Sequence, residues 1–155
     1  MSKTNAIRIL ESQKIKHSTF TYDVNEEELD AVSVAEKVGA EHESVFKTLV
    51  TTGDKTGVTV FCIPGNMELD LKKAASASGN KKVEMIKVKE LLPLTGYIRG
   101  GCSPIGMKKL YATYIDETAQ LWDEIYVSAG VRGMQVKLSP QELKKLINAE
   151  FADLI

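Results

Sequence analysis

Cysteine, proline and aromatic residues are all scarce in this chain, and each scarcity excludes a class of protein. Two cysteines and four prolines in 155 residues exclude disulfide-scaffold, collagen-like and mucin-like proteins. No apolar run approaches the ~20 residues of a membrane-spanning helix. Residues 1–13 carry charges within their apolar pattern, which a signal peptide does not. We therefore expect a cytoplasmic protein whose two thiols are reduced.

The overall composition is that of a globular protein. Hydrophobic residues make up 43% of the chain, charged residues 26%, and the formal net charge is −1. This balance argues against disorder. A chain of this length buries enough surface to fold without a metal or a disulfide. We expect one domain over residues 1–155.

The small net charge conceals a basic middle segment. Residues 71–110 hold nine Lys or Arg and two Asp or Glu, whereas the segments on either side are acidic. Clustered cations attract polyanions because their binding releases counterions from phosphates. Solvated lysines on helix faces explain the same pattern, and a pI near 6.2 is low for a dedicated nucleic-acid binder. Charge alone leaves both interpretations open.

Hydrophobic spacing predicts intermixed helices and strands. Helices are expected at 3–14 (capped by Ser2 or Thr4), after Ser33, at 70–78, at 88–92 before Pro93, near 119–121 and after Ser139. Strands are expected at 17–22, 45–52, 58–63, 82–86, 112–116, 124–128 and 131–138. Residues 53–57 have turn chemistry, so the second and third strands form a hairpin. The class is α/β or α+β around a mixed sheet.

Familiar catalytic motifs are missing. His17 and His42 lie in no metal-ligand spacing, and the sequence contains no G-x-S-x-G, phosphate-binding loop or dinucleotide fingerprint.

Lys47 is the most informative single residue. Strand alternation puts its ammonium on an apolar face of a strand that is predicted to be interior. A buried ammonium is costly unless it is paired, neutral or in contact with an anionic ligand. The alternative is an edge strand from which Lys47 extends to water.

Three further features are candidates for a binding site. The loop at 100–106 (GGCSPIG) can direct several N–H groups at one oxygen, or it is simply a tight turn. The turn at 128–133 (SAGVRG) can line the same pocket, or it is a plain β-turn. Tyr22 either presents a phenol or packs in the core. Cys102 is better interpreted as a small apolar residue that fills space than as a nucleophile.

Five segments in order resemble the YbaK/EbsC family of aminoacyl-tRNA deacylases, which is related to the editing domain of prolyl-tRNA synthetase. They are VFKTL at 45–49, LDLKK at 69–73, KKVEM at 81–85, TGY at 95–97 with the 100–106 loop, and IYVS at 125–128. The resemblance implies a single α/β domain with a mixed, mostly antiparallel, barrel-like sheet and flanking helices. It implies no metal and no cofactor. One departure is Gln135, where some members carry a carboxylate.

The resemblance also assigns roles. Lys47, Gly100 and Gly101 are expected to be catalytic. The residues expected to bind substrate are Tyr22, Thr48, Ser103, Pro104, Ser128 and Gly130. The residues expected to bind tRNA are Lys72, Lys73, Lys81, Lys82 and Lys108. The implied partners are the acceptor end of tRNA(Pro) and prolyl-tRNA synthetase.

The implied reaction is hydrolysis of the ester bond between a mischarged amino acid and its tRNA, with cysteine on tRNA(Pro) as the typical substrate. The substrate's own thiol attacks the ester, and the protein supplies orientation and charge stabilisation. Amides of Gly100 and Gly101 would hold the carbonyl oxygen or the terminal ribose, and Lys47 would face a phosphate or the developing charge. The alternatives are an Ala-tRNA(Pro) deacylase, a non-catalytic module that binds aminoacyl-tRNA or the synthetase, and a hydrolase of small aminoacyl esters.

Overall fold

This computed structural model describes residues 3–155 of the chain. Five α-helices and eight β-strands are intermixed along this part. The helices are α1 Asn5–Ser12, α2 Ala31–Val38, α3 Leu71–Ser78, α4 Val88–Thr95 and α5 Pro140–Leu146. The strands are β1 His17–Thr21, β2 Phe46–Gly53, β3 Gly57–Pro64, β4 Val83–Met85, β5 Ala112–Asp116, β6 Ile125–Ser128, β7 Met134–Leu138 and β8 Glu150–Ala152. Short 3₁₀ turns occupy Glu26–Glu28, His42–Ser44 and Glu117–Leu121. In the described part of the chain, no helix has the length and hydropathy needed to cross a membrane.

The strands form two sheets that meet along one seam. The smaller sheet has the order β1-β7-β6 and is antiparallel, and the larger has the order β4-β2-β3-β5-β8. Within the larger sheet, β5 runs parallel to both β3 and β8, and the other pairs are antiparallel. A bridge between Val45 and Tyr126 joins the start of β2 to β6. The two sheets are therefore adjacent at this bridge.

Helix ends follow the expected capping chemistry, with one shift. The Thr4 side chain accepts a hydrogen bond from the Ile7 amide at the start of α1, whereas Ser2, the other predicted cap, lies outside the described residues. Asp30, not Ser33, caps α2, because its carboxylate accepts the Ser33 amide. The helix therefore begins at Ala31, two residues before the predicted cap.

Three elements differ from the sequence prediction. Strand β7 begins at Met134 rather than at residue 131, because residues 131–133 belong to the turn. Helix α4 continues through Pro93 to Thr95. This is tolerated because proline removes a single amide donor near the end of an exposed helix, and the Thr95 hydroxyl donates to the Leu91 carbonyl. Strand β8 was not predicted, because three residues are too few to show a period.

Candidate active site

A cavity of about 170 Å³ opens at the seam between the two sheets. Both sheets and the 100–106 loop contribute to its wall, together with the start of α2. The lining residues are Leu29, Asp30, Ala31, Val34, Val45, Phe46, Lys47, Thr48, Gly100, Cys102, Ser128 and Gln135. The predicted site residues Lys47, Thr48, Gly100 and Ser128 thus come together around one small space.

Lys47 reaches this cavity because β2 has an open edge. Strand β3 pairs with β2 along its whole length, but β4 pairs only with Thr51–Gly53. Between β4 and the bridge at Val45, that edge of β2 has no strand partner in the described part of the chain. The prediction of an interior strand therefore holds at Thr51–Gly53 but not at Lys47. Lys47 and Thr48 line the cavity at this gap.

The Lys47 side chain is half-buried and forms no ion pair within 4.0 Å with the side chains that the structure describes. Burial lowers the pKa of the Lys47 ammonium, and the carboxylate of Glu68 partly offsets this shift. A half-desolvated cation beside a cavity is suited to an anionic ligand or to negative charge that develops during a reaction.

The 100–106 loop offers amide donors at Gly100 and Cys102 rather than at Gly101. The Gly101 amide donates to the Ile98 carbonyl at 2.9 Å and closes a turn. Among the described residues, the amides of Gly100 and Cys102 have no acceptor, and both residues line the cavity. A side chain at Gly101 would meet the backbone of Val131 and Arg132 at about 3.0 Å, so glycine allows the two loops to touch.

Arg132 anchors this loop to the 128–133 turn. Its Nε donates to the Arg99 carbonyl at 2.8 Å. Arg132 and Gly100 both line a second, much smaller cavity, and this cavity shares Leu29, Val34 and Gly100 with the first. The guanidinium Nε therefore lies beside Gly100, which lines both cavities.

The two thiols are unsuited to nucleophilic attack. Burial raises the pKa of Cys102 to about 11 and that of Cys62 to about 12, so both are protonated at neutral pH. Ser128 also lines the cavity, and its hydroxyl accepts a hydrogen bond from the Gly130 amide. The described residues that line the cavity include no histidine to act as a base.

Several predicted site residues lie outside the cavity lining. Ser103 is fully buried, and its hydroxyl accepts the Ile105 amide. Pro104 is buried and lines a separate cavity beside Ile9 and Leu146. A side chain at Gly130 would meet the ring of Tyr97, so this glycine serves packing. Tyr22 lines the second, smaller cavity and packs against the apolar cluster that contains Val34. Contact of these four residues with a substrate remains a prediction.

The five lysines that were predicted to bind tRNA are dispersed. Lys73 pairs with Asp153, and Lys82 pairs with Glu84. Lys81 and Lys82 donate their amides to Asp54 at the hairpin turn, roughly 20 Å along β2 from Lys47. Lys72 is exposed on α3, and Lys108 packs its side chain over Gly96. The sequence alone did not single out Arg132 or Leu29. It marks Arg132 only as a cation between two glycines, and Leu29 only as an apolar residue within the acidic segment 26–30.

A family model described as "Aminoacyl-tRNA editing domain" matches residues 25–146. The chain belongs to this family. It is an aminoacyl-tRNA editing protein with deacylase chemistry, and the family, fold class and editing function predicted from the sequence are confirmed.

Individual relatives agree with this assignment. The chain is 55% identical over 152 residues to a proposed Cys-tRNA(Pro)/Cys-tRNA(Cys) deacylase, EbsC, of Enterococcus faecalis, covering 98% of this chain and 93% of that protein. The structure of a proposed trans-editing enzyme for prolyl-tRNA synthetase superposes with a TM-score of 0.83 at 29% identity, covering 99% of this chain and 98% of that one. The proline–tRNA ligase of Shouchella clausii is 33% identical over 82 residues, which are 52% of this chain and 14% of the ligase.

Proposed function

We propose that this protein releases cysteine from mischarged tRNA(Pro) by using the thiol of the substrate. The observation that carries the proposal is the composition of the cavity. Among the residues that the structure describes, its lining holds a half-buried ammonium and two amides without acceptors, its thiol is protonated, and it includes no histidine to activate its serine. Such a site orients a reactive ester and stabilises charge, but it supplies no nucleophile.

The proposed reaction starts at the cysteinyl thiol. The thiol gives up its proton to a water molecule, which can later return a proton to the leaving oxygen. The thiol sulfur attacks the ester carbonyl carbon of the same aminoacyl group. The bond from this carbon to the 3′-oxygen of the terminal ribose breaks, and the tRNA oxygen takes up a proton. The product, a thiolactone, then reacts with water to give free cysteine. Negative charge gathers first on the sulfur and the carbonyl oxygen and then on the leaving oxygen.

Each group of the site has a task in this reaction. In this proposal the Gly100 and Cys102 amides donate to the carbonyl oxygen as it becomes negative. The Lys47 ammonium balances the charge of the leaving oxygen or of the adjacent phosphate. Arg132, beside Gly100, contacts the backbone of the acceptor end. Docking onto prolyl-tRNA synthetase in the cytoplasm would provide the identity of the tRNA.

Deacylation assays on Cys-tRNA(Pro) and Ala-tRNA(Pro) test this function. We expect wild type to release cysteine faster than alanine, because alanine has no thiol. Lys47→Ala should reduce turnover by ~10²–10³, as the loss of a preorganised charge-stabilising group does. Lys145→Ala removes the same charge from an exposed helix position outside the predicted site and should retain turnover within about twofold.

Other outcomes favour the other functions. Binding of cysteinyl-tRNA without release of cysteine would identify a non-catalytic module. Faster release of alanine would identify an Ala-tRNA(Pro) deacylase and would overturn the thiol-assisted step. Turnover that is insensitive to the tRNA body would indicate a hydrolase of small aminoacyl esters.

A further inference from the structure

One buried side-chain oxygen, which belongs to a residue of the cavity lining, has no hydrogen-bond donor among the residues that the structure describes. The side chain of Gln135 lines the cavity and is 5% exposed, and in the part of the chain that the structure describes no donor reaches its Oε1 atom. Gln135 lies on β7, where its register partners are Phe20 on β1 and Ser128 on β6. Its backbone position is therefore fixed on both sides by strand pairing.

An acceptor that is buried without a protein donor costs stability until a ligand or solvent donates to it. Apolar side chains such as Val34, Val45 and Phe46 line the same cavity. A methionine at position 135 would therefore match the apolar character of these neighbours. A polar group that opposes folding and lines a ligand-sized space is characteristic of a binding contact that is completed by the ligand.

We propose that Gln135 Oε1 accepts a hydrogen bond from the α-ammonium group of the bound aminoacyl ester, so that the site selects amino acids whose α-amine is free. This inference rests on the proposed function. The α-ammonium is the donor that every aminoacyl ester carries next to its carbonyl. The cysteinyl thiol fits the acceptor poorly, because it loses its proton in the proposed reaction and a thiolate would face the Gln135 oxygen unfavourably.

Asp30 is another possible acceptor on the cavity lining, but it is exposed, and one of its oxygens already accepts the Ser33 amide. It therefore serves as the matched control.

The experiment uses two stable probes, 3′-(L-cysteinyl)amino-3′-deoxyadenosine and its N-acetyl derivative, whose amide linkage resists deacylation. Calorimetry measures the Kd of each probe for wild type, Gln135→Met, Gln135→Glu and Asp30→Asn. We expect wild type to bind the free amine at least about tenfold more tightly, as is typical of a hydrogen bond to a charged group. Gln135→Met should reduce this preference to near onefold. Gln135→Glu and Asp30→Asn should retain it.

Equal affinity of wild type for both probes overturns the inference, and so does a Gln135→Met variant that keeps the preference. An equal loss of affinity for both probes in Gln135→Met would identify a merely structural role and also overturns it. Denaturant unfolding checks the fold of this variant, which should be at least as stable as wild type. If Gln135→Met does not fold, loss of the preference in Gln135→Glu decides against the inference.

The proposed function fails separately. Failure of wild type to release cysteine from Cys-tRNA(Pro), or to bind either probe, contradicts the proposed function and removes the basis of this inference. Normal release of cysteine together with equal affinity for the two probes overturns the role of Gln135 alone.

Discussion

At the scale of single residues, Lys47 occupies a position that favours its neutral form. Its ammonium is half-buried, and burial lowers its pKa from the ordinary value of 10.5. Below the lowered pKa, folding therefore leaves a charged group partly desolvated. As the pH rises from that pKa towards 10.5, the unfolded chain binds more protons than the folded protein, so the stability of wild type rises.

Replacement of this side chain by an apolar one of similar length should remove the cost. We expect Lys47→Met to be more stable than wild type at pH 7, by no more than about 1 kcal/mol because the group is half exposed to solvent. The difference should shrink above the lowered pKa. Urea unfolding at pH 7 and at pH 10 measures it, with Lys72→Met as the exposed control. A clearly less stable variant at pH 7 would mean that the folded protein stabilises the ammonium.

Cys102 leads to a second prediction at this scale. Burial raises the pKa of its thiol to about 11, so little thiolate exists at neutral pH. We therefore expect Cys102→Ala to keep deacylation within about threefold of wild type, with a small loss of stability from the lost packing. Steady-state release of cysteine from Cys-tRNA(Pro) is the measurement. Turnover that disappears while the fold persists would make Cys102 a nucleophile.

At the scale of elements, the contact between the 100–106 loop and the 128–133 turn holds the cavity together. Gly101 lies where a side chain would meet the backbone of Val131 and Arg132, which cannot rotate away as a flexible side chain does. Gly101→Ala should therefore separate the loops, reduce stability by about 1–3 kcal/mol and reduce turnover more than tenfold. Unfolding and deacylation measured on the same sample test this. Unchanged turnover would show that the loop contact is dispensable.

Elements with strong local signals were predictable from sequence. The β2–β3 hairpin follows from two apolar runs around turn residues, and α5 follows from Ser139 and Pro140 at its start. Elements that depend on pairing between distant segments of the chain could not be predicted from the sequence. Strand β8 forms only because β5 offers it an edge, and its three residues carry no period.

The same limit applies to the candidate site. The apolar neighbours of Lys47 were visible in the sequence, but the open edge beside it was not, because this edge depends on β4 pairing with only three residues of β2. The sequence predicted amide donors at Gly100 and Gly101, but it did not show that the Gly101 amide is used within a local turn, where it donates to the Ile98 carbonyl.

At the scale of the whole molecule, the basic segment at 71–110 does not form one continuous patch beside the cavity. Lys82 is paired with Glu84 near the hairpin turn at the far end of β2, whereas Arg132, outside that segment, lies beside the cavity-lining Gly100. Affinity for tRNA should depend on the cations beside the cavity, because those are the ones that an acceptor end in the cavity can reach.

Salt titrations distinguish these positions. Arg132→Gln should weaken binding of tRNA(Pro) and reduce the slope of log K against log salt by about 1, as expected for one lost phosphate contact. Lys82→Gln should change neither quantity. Filter binding or fluorescence anisotropy over a range of salt concentrations measures both. The reverse result would move the tRNA to the β4 end of the sheet.

The bridge between Val45 and Tyr126 has a mechanical consequence. Groups on either side of it, Lys47 from the larger sheet and Gln135 from the smaller, line the same cavity. A ligand that contacts both therefore ties the sheets to each other, and its binding energy opposes their separation. Amide hydrogen exchange should then slow in β2 and β7 together when a ligand binds, although these strands share no hydrogen bonds with each other.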